Sequence, residues 1–396
     1  MTGAVRRIGV LERRARLGLR HHLTPAARAA SVVEVAEDLV GLHGTDPASV
    51  FLAAAARMRQ PEVGAIERAM YDERVLLRML GMRRTMFVVP VELAPIVQAA
   101  CTQAIAAAQR SLLLRLLDQS GITTGDPKRW LEEVEEATVK ALAARGQALA
   151  TELASDEPRL REQLQYAEGK SYAARQSVST RVLLVLAAEG RIARGRPRGS
   201  WISGQYRWSL MESWLPRGMA EWSTGAAQAE LVRRWLAAFG PGTVADLRWW
   251  TGLTAGQVKR ALATVGAVEV DLDGTPGLVL ADDLAPAAAA EPWVALLPAL
   301  DPTVMGWTGR GWYLGEHGPT LFDRNGNAGP TVWWDGRIVG GWASRGNGEI
   351  AYRLLEDVGA DGVAAVEAAA GRLADWLGTV RITPRFRTPL ERELSA

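Results

Sequence analysis

One stretch of this chain limits its possible folds more than any other. Residues 179–189 form an apolar run with hydroxyl residues at its start, closed by Gly190 as a helix-ending glycine. A short apolar segment follows, then a glycine-rich tip carrying Arg194, Arg196 and Arg198, then an aromatic return segment with Tyr206 and Trp208. A helix with an apolar face must be covered, and a hairpin arriving within a few residues folds back onto it. Helix, strand, basic tip and return strand are the outline of a winged helix. Arginines at such a tip suit phosphate or minor-groove contact, positioning rather than base reading. The same segment also fits a solvated hairpin.

The outline occurs three times as a pattern, without residue identity between copies. Two or three helices fill residues 24–70. The apolar run 75–80 then leads into Gly81-Met82-Arg83-Arg84-Thr85-Met86-Phe87-Val88-Val89-Pro90, a β-rich stretch with arginines just before a strand. Further on, residues 226–239, 244–250 and 255–265 read as helices, and residues 269–280 alternate like a strand pair about Asp273-Gly274. Residues 5–22 read as a basic helical arm. From Pro292 the character changes to short β runs at 293–297, 312–314, 331–334 and 337–342, then a helix over 359–377, a last strand over 380–383 and a tail with Arg385, Arg387 and Arg392. The expected fold is mainly α with β: tandem winged-helix units over 1–118, 119–222 and 223–290, followed by a small C-terminal β-barrel over 291–396.

Composition removes several function classes. A single cysteine, Cys101, rules out an internal disulfide framework and a thiolate zinc site, and the four histidines show no metal-binding spacing. No metal and no cofactor are expected. A formal net charge of +2 argues against a general polyanion binder but leaves room for local basic strips. Arginine far outnumbers lysine, and its planar fork suits phosphates and base edges. No apolar run approaches the roughly 18 residues of a membrane span, so a cytoplasmic protein without membrane contact is expected. The chain shows no leucine-zipper heptads, which favours a monomer.

Chemistry-bearing side chains crowd together at one helix junction, Val40-Gly41-Leu42-His43-Gly44-Thr45-Asp46-Pro47. His43, Thr45 and Asp46 bring an imidazole, a hydroxyl and a carboxylate within four residues. Asp46 before Pro47 also makes a good helix cap with proline in the first turn. His43 is not needed for such a cap, and reads either as a core polar residue or as a site residue.

Four strings carry a resemblance: Gly41-Leu42-His43-Gly44-Thr45-Asp46-Pro47, Met82-Arg83-Arg84-Thr85, Leu300-Asp301-Pro302, and Phe322-Asp323-Arg324-Asn325-Gly326-Asn327. Together with the repeated outline, they make the chain resemble the winged-helix DNA-binding family that includes the azinomycin-resistance and interstrand-crosslink DNA glycosylases. The resemblance covers essentially the whole chain. It implies a C-shaped clasp on double-stranded DNA and hydrolysis of the N-glycosidic bond of alkylated or bulky purine adducts. The family's catalytic motif, a glutamine, an intervening residue and a glutamine or aspartate, falls on His43 and Thr45, with Asp46 adjoining. The DNA contacts it implies are Arg83, Arg84, Arg194, Arg196, Arg198 and Arg324. The alternative is a non-catalytic winged-helix DNA-binding protein or transcriptional regulator.

Overall fold

The computed structural model describes residues 5–123, 125–166, 174–288 and 291–396. Its architecture is mixed α/β with helix predominating. In the first unit, helix Val32–Asp38 starts at Ser31, whose hydroxyl accepts the Glu34 N–H at 3.2 Å. The chain then turns at Gly41, where φ is +100° and a Cβ would lie 2.8 Å from a Val89 methyl, so only glycine fits. Strand Leu42–His43 follows and forms an antiparallel sheet with Met86–Pro90, at the centre, and Leu76–Leu80. Helix Pro47–Ala55 comes next. It is buried from Pro47 to Ala54 and acts as a central post of the molecule.

The middle unit has a core of its own, including Leu113, Leu131, Val134, Leu153, Val182 and Leu186. Helices Gln103–Gln119, Pro127–Arg145, Ala150–Asp156 and Val178–Ala188 surround a sheet whose central strand, Tyr206–Leu210, pairs with Gln147–Ala148 and Ile192–Pro197. In the next unit, helices Val244–Thr251 and Ala255–Val265 each open on a threonine capping box, and a hairpin joins Val268–Leu272 to Thr275–Val279.

The basic arm is helical over Val10–Arg20, and its arginines bind the protein itself. Arg6 and Arg16 hold Glu12, Arg16 and Arg20 hold Asp283, and Arg7 holds Asp273. Ile8 extends the neighbouring hairpin by donating its N–H to the Asp271 carbonyl at 2.8 Å.

The C-terminal strands Val294–Leu297, Thr331–Trp334, Arg337–Ser344 and Ile350–Leu354 pair antiparallel in that order, and helix Gly359–Leu377 packs on them. Among the described residues this is a four-stranded sheet, and the closure expected of a small barrel is not seen. Two local readings change with it. Residues 312–314 form a helical turn, Gly311–Leu314, because Trp312 packs on Trp307 and under Arg13 instead of entering a ladder. Residues 380–383 join no sheet.

The first, third and C-terminal units share one apolar core. Deep within it, Arg57 donates to both oxygens of Asp301 at 2.7 and 2.8 Å, and to the His21 carbonyl and the Thr303 hydroxyl. The middle unit docks on this body through Trp201, which sits against Phe51 and Trp376 with centroids 4.9 and 5.7 Å away. A cleft remains where the two bodies face one another.

Candidate active site

The cleft has a volume of about 760 Å³. The first unit contributes Gly44, Thr45 and Arg78, the middle unit Arg194, Arg198 and Tyr206, and the C-terminal segment Arg385 and Phe386.

His43 ends its strand opposite Phe87, with the two rings 5.3 Å apart. The imidazole is buried, and its Nδ1 has no hydrogen-bond partner among the described residues. Loss of solvent around the ring, with the charge of Arg83 adding to it, pushes the His43 pKa down to about 3. The ring is therefore neutral at physiological pH and can accept a hydrogen bond without carrying charge.

The next residue explains its own identity. The Gly44 carbonyl accepts from Arg78 Nη1 at 2.5 Å, and a Cβ at this position would lie 2.9 Å from that nitrogen. Thr45 lines the cleft, and its Oγ1 is buried and unpartnered among the described residues. Asp46 has both oxygens engaged by backbone. Oδ1 accepts the Ala48 N–H at 3.1 Å as the helix cap, and Oδ2 accepts the Arg385 N–H at 2.9 Å. It is a cap and a latch for the C-terminal segment.

The cleft carries positive charge without counter-charge. Among the described residues Arg78 and Arg194 have no carboxylate partner. Arg78 lies over Tyr206 at 4.8 Å and Arg194 over Trp208 at 4.7 Å. Burial, reinforced by repulsion from Arg78, pushes the Arg194 pKa down to about 10. Arg198 and Arg385 add two exposed guanidinium groups to the same cleft. This arrangement is suited to a phosphate backbone.

The sequence placed Arg194, Arg196 and Arg198 together at a wing tip, and the structure separates them. A register shift between Arg194 and Pro197 breaks the strand's alternation. Arg194 turns into the cleft wall, whereas Arg196 pairs with Glu67 and Asp72 at 3.0 Å each and lies over Tyr71. Arg83 lies behind His43, its guanidinium 3.9 Å from the Trp249 ring that Arg310 also covers at 4.9 Å. Arg84 and Arg324 are exposed and do not line the cleft.

Sequence reasoning missed Arg78, Tyr206 and Phe386 as site residues. A signal existed for Arg78, a lone charge inside the apolar run Leu76-Leu77-Arg78-Met79-Leu80, every residue of which is buried. Among the described residues one group with metal-ligand character, His22, Glu34 and Asp38, lies elsewhere, and both His22 nitrogens already meet oxygens of Ala27 and Asp38.

The sequence pattern of the DNA glycosylase AlkZ-like family matches residues 36–376. The chain belongs to this family. The match takes in His43, Thr45, the cleft residues of the first and middle units and most of the C-terminal unit, though not Arg385 and Phe386, and it makes this AlkZ-like protein a DNA glycosylase, with DNA as its partner. A solved structure, the Streptomyces sahachiroi DNA glycosylase AlkZ, is similar in fold, with 22% sequence identity and a TM-score of 0.73. The alignment covers 96% of this chain and 99% of that one. No curated protein matches the chain. No described helix is long and apolar enough to cross a membrane.

Proposed function

We propose that this AlkZ-like chain hydrolyses the N-glycosidic bond of alkylated or bulky purine adducts in double-stranded DNA, at the cleft wall formed by Thr45. The observation that carries the reading is a set of unpartnered polar atoms beside uncompensated arginines: His43 Nδ1, Thr45 Oγ1 and Arg78 Nε are all buried without a hydrogen-bond partner among the described residues. Thr45 and Arg78 line the cleft, whereas His43 does not and adjoins it through Gly44; buried polar groups are ordinarily satisfied, so unsatisfied ones in and next to the cleft lining support binding of substrate and water there.

A purine alkylated on a ring nitrogen already carries the leaving-group charge, so the protein need not protonate it. The remaining tasks are to hold a water against the sugar and to tolerate an oxocarbenium-like transition state. His43, neutral and unpartnered, accepts a hydrogen bond from that water, and Thr45 shares in holding it. Asp46 acts by positioning, since both its oxygens bind backbone N–H groups. Arg78, Arg194, Arg198 and Arg385 take the phosphates flanking the extruded nucleotide, while Arg84 and Arg324 extend the contact outside the cleft. Three winged-helix units over residues 1–290 and a closing module over 291–396 form a monomeric, cytoplasmic clasp, with the first two units meeting near residue 103 rather than at 118, since helix Gln103–Gln119 packs in the core of the middle unit.

The test is release of N7-methylguanine and N3-methyladenine from duplex DNA. His43→Ala and Thr45→Ala are expected to slow release by about 10²–10⁴-fold with duplex affinity nearly unchanged. No release by the wild-type protein across such a panel would favour a non-catalytic DNA-binding protein.

A further inference from the structure

Tyr206 stands in the cleft wall at the start of strand Tyr206–Leu210. Its hydroxyl is buried and has no hydrogen-bond partner among the described residues. One face of its ring is covered by the Arg78 guanidinium at 4.8 Å. With that face occupied, Tyr206 is left with one free ring face and an unsatisfied hydroxyl.

Phe386, on the C-terminal segment, is the complement. It is half-buried, belongs to no apolar cluster and has no ring partner among the described residues, yet it lines the same cleft as Thr45. Its place is set by backbone, because the preceding N–H, that of Arg385, is held by Asp46 Oδ2 at 2.9 Å. The carboxylate that caps the helix after Thr45 thus also seats an aromatic side chain beside it. The cleft, about 760 Å³, is large enough for an extruded nucleotide.

We propose that Tyr206 Oη hydrogen-bonds the acceptor edge of the extruded purine while Phe386 supplies the face on which the purine stacks, so that this pair sets base specificity. The proposal rests on the glycosylase reading above and deepens it. The purine is the partner of choice on chemical grounds. Arg78 and Arg194 supply the charge a phosphate needs, whereas a neutral phenol and an uncharged ring match a flat base. An alkylated purine keeps acceptors away from the alkylated nitrogen, O6 in N7-methylguanine and N1 or N7 in N3-methyladenine, for the phenol to meet.

The experiment compares two duplexes, one with and one without the base at the target position. One carries N7-methylguanine on a 2′-fluoro sugar that resists cleavage, and the other carries a tetrahydrofuran abasic analogue. Tyr206→Phe removes one oxygen and keeps the ring under Arg78, and Phe386→Leu keeps an apolar side chain of similar size. Tyr206→Phe is expected to weaken the adducted duplex by about 3–10-fold. Phe386→Leu is expected to weaken it by about 5–100-fold. Both variants should bind the abasic duplex within about twofold of wild type and keep its melting temperature, since Tyr206 Oη makes no internal bond. Equal weakening on both duplexes would assign the residues to the backbone and overturn the proposal, as would unchanged binding to both. Base release, assayed separately on the cleavable substrate, reports on the glycosylase reading, so the two can fail independently.

Discussion

Arg194→Met tests whether the cleft charge is held for a ligand or for the fold. Arg194 has no carboxylate partner among the described residues, and burial with repulsion from Arg78 lowers its pKa from 12.5 to about 10. At about 1.4 kcal/mol for each tenfold change in acidity, holding this charge costs roughly 3 kcal/mol. Arg194 keeps partial solvent contact, and screening reduces the figure to about 1–2 kcal/mol. Methionine keeps most of the stem packed on Trp208 while removing the charge. The variant should therefore be more stable than wild type by about 1–2 kcal/mol in urea denaturation, an unusual sign for losing a buried polar group. It should also bind duplex DNA more weakly, with the slope of log affinity against log salt flatter by about 0.9 if one phosphate contact is lost. A less stable variant would show that the guanidinium has a structural role in the middle unit. An unchanged salt slope would show that the cleft does not hold the phosphates.

Two further predictions concern stability. Arg57→Met leaves Asp301 buried beneath the C-terminal sheet and should cost about 3–5 kcal/mol by calorimetry, whereas adding Asp301→Leu should restore most of it; a double variant no better than the single would refute the pairing argument. For pH, the His43 pKa of about 3 lies below the unfolded value of 6.5, so the unfolded chain takes up the proton first as pH falls. The stability this group contributes is full above pH 6.5 and lost progressively below it. The advantage of wild type over His43→Asn should therefore shrink by about 2 kcal/mol between pH 7 and pH 5, and a pH-independent difference would show that the ring is not held neutral.

Helices and hairpins were legible where periodicity and caps agreed, as at Gly190 and the threonine-opened helices of the third unit. Sidedness was not. Arg194, Arg196 and Arg198 sit two residues apart and should share a face of a regular strand, but the register shift sends Arg194 to the cleft and Arg196 to Glu67 and Asp72. The arm looked like a free basic helix because its acidic partners, Asp273 and Asp283, lie more than 250 residues away. Trp201 follows the arginine-bearing tip in sequence, yet packs against Phe51 and Trp376 and holds the middle unit to the rest of the molecule. Pairings of this length leave no local pattern. Phe386 and Asp46 show the same limit, since the bond that joins them to one site spans most of the chain.

The neutrality of His43 has a consequence for substrate class. A base with a pKa near 3 takes a proton from water too poorly to generate hydroxide ahead of bond cleavage. On the proposed reading, its use would be to orient a water that attacks once the sugar has become electron-poor, with the proton departing late. Such a site depends on a leaving group that departs readily, and purines alkylated at N7 or N3 do so because they leave as neutral bases. The arginines around the cleft would oppose positive charge on the sugar if they were bare. On the proposed reading, each would face a phosphate whose charge cancels its own before the transition state forms. Arg194, whose charge is held at a cost in the free protein, would then become part of neutral surroundings only when DNA is bound, which would tie the reaction to the duplex.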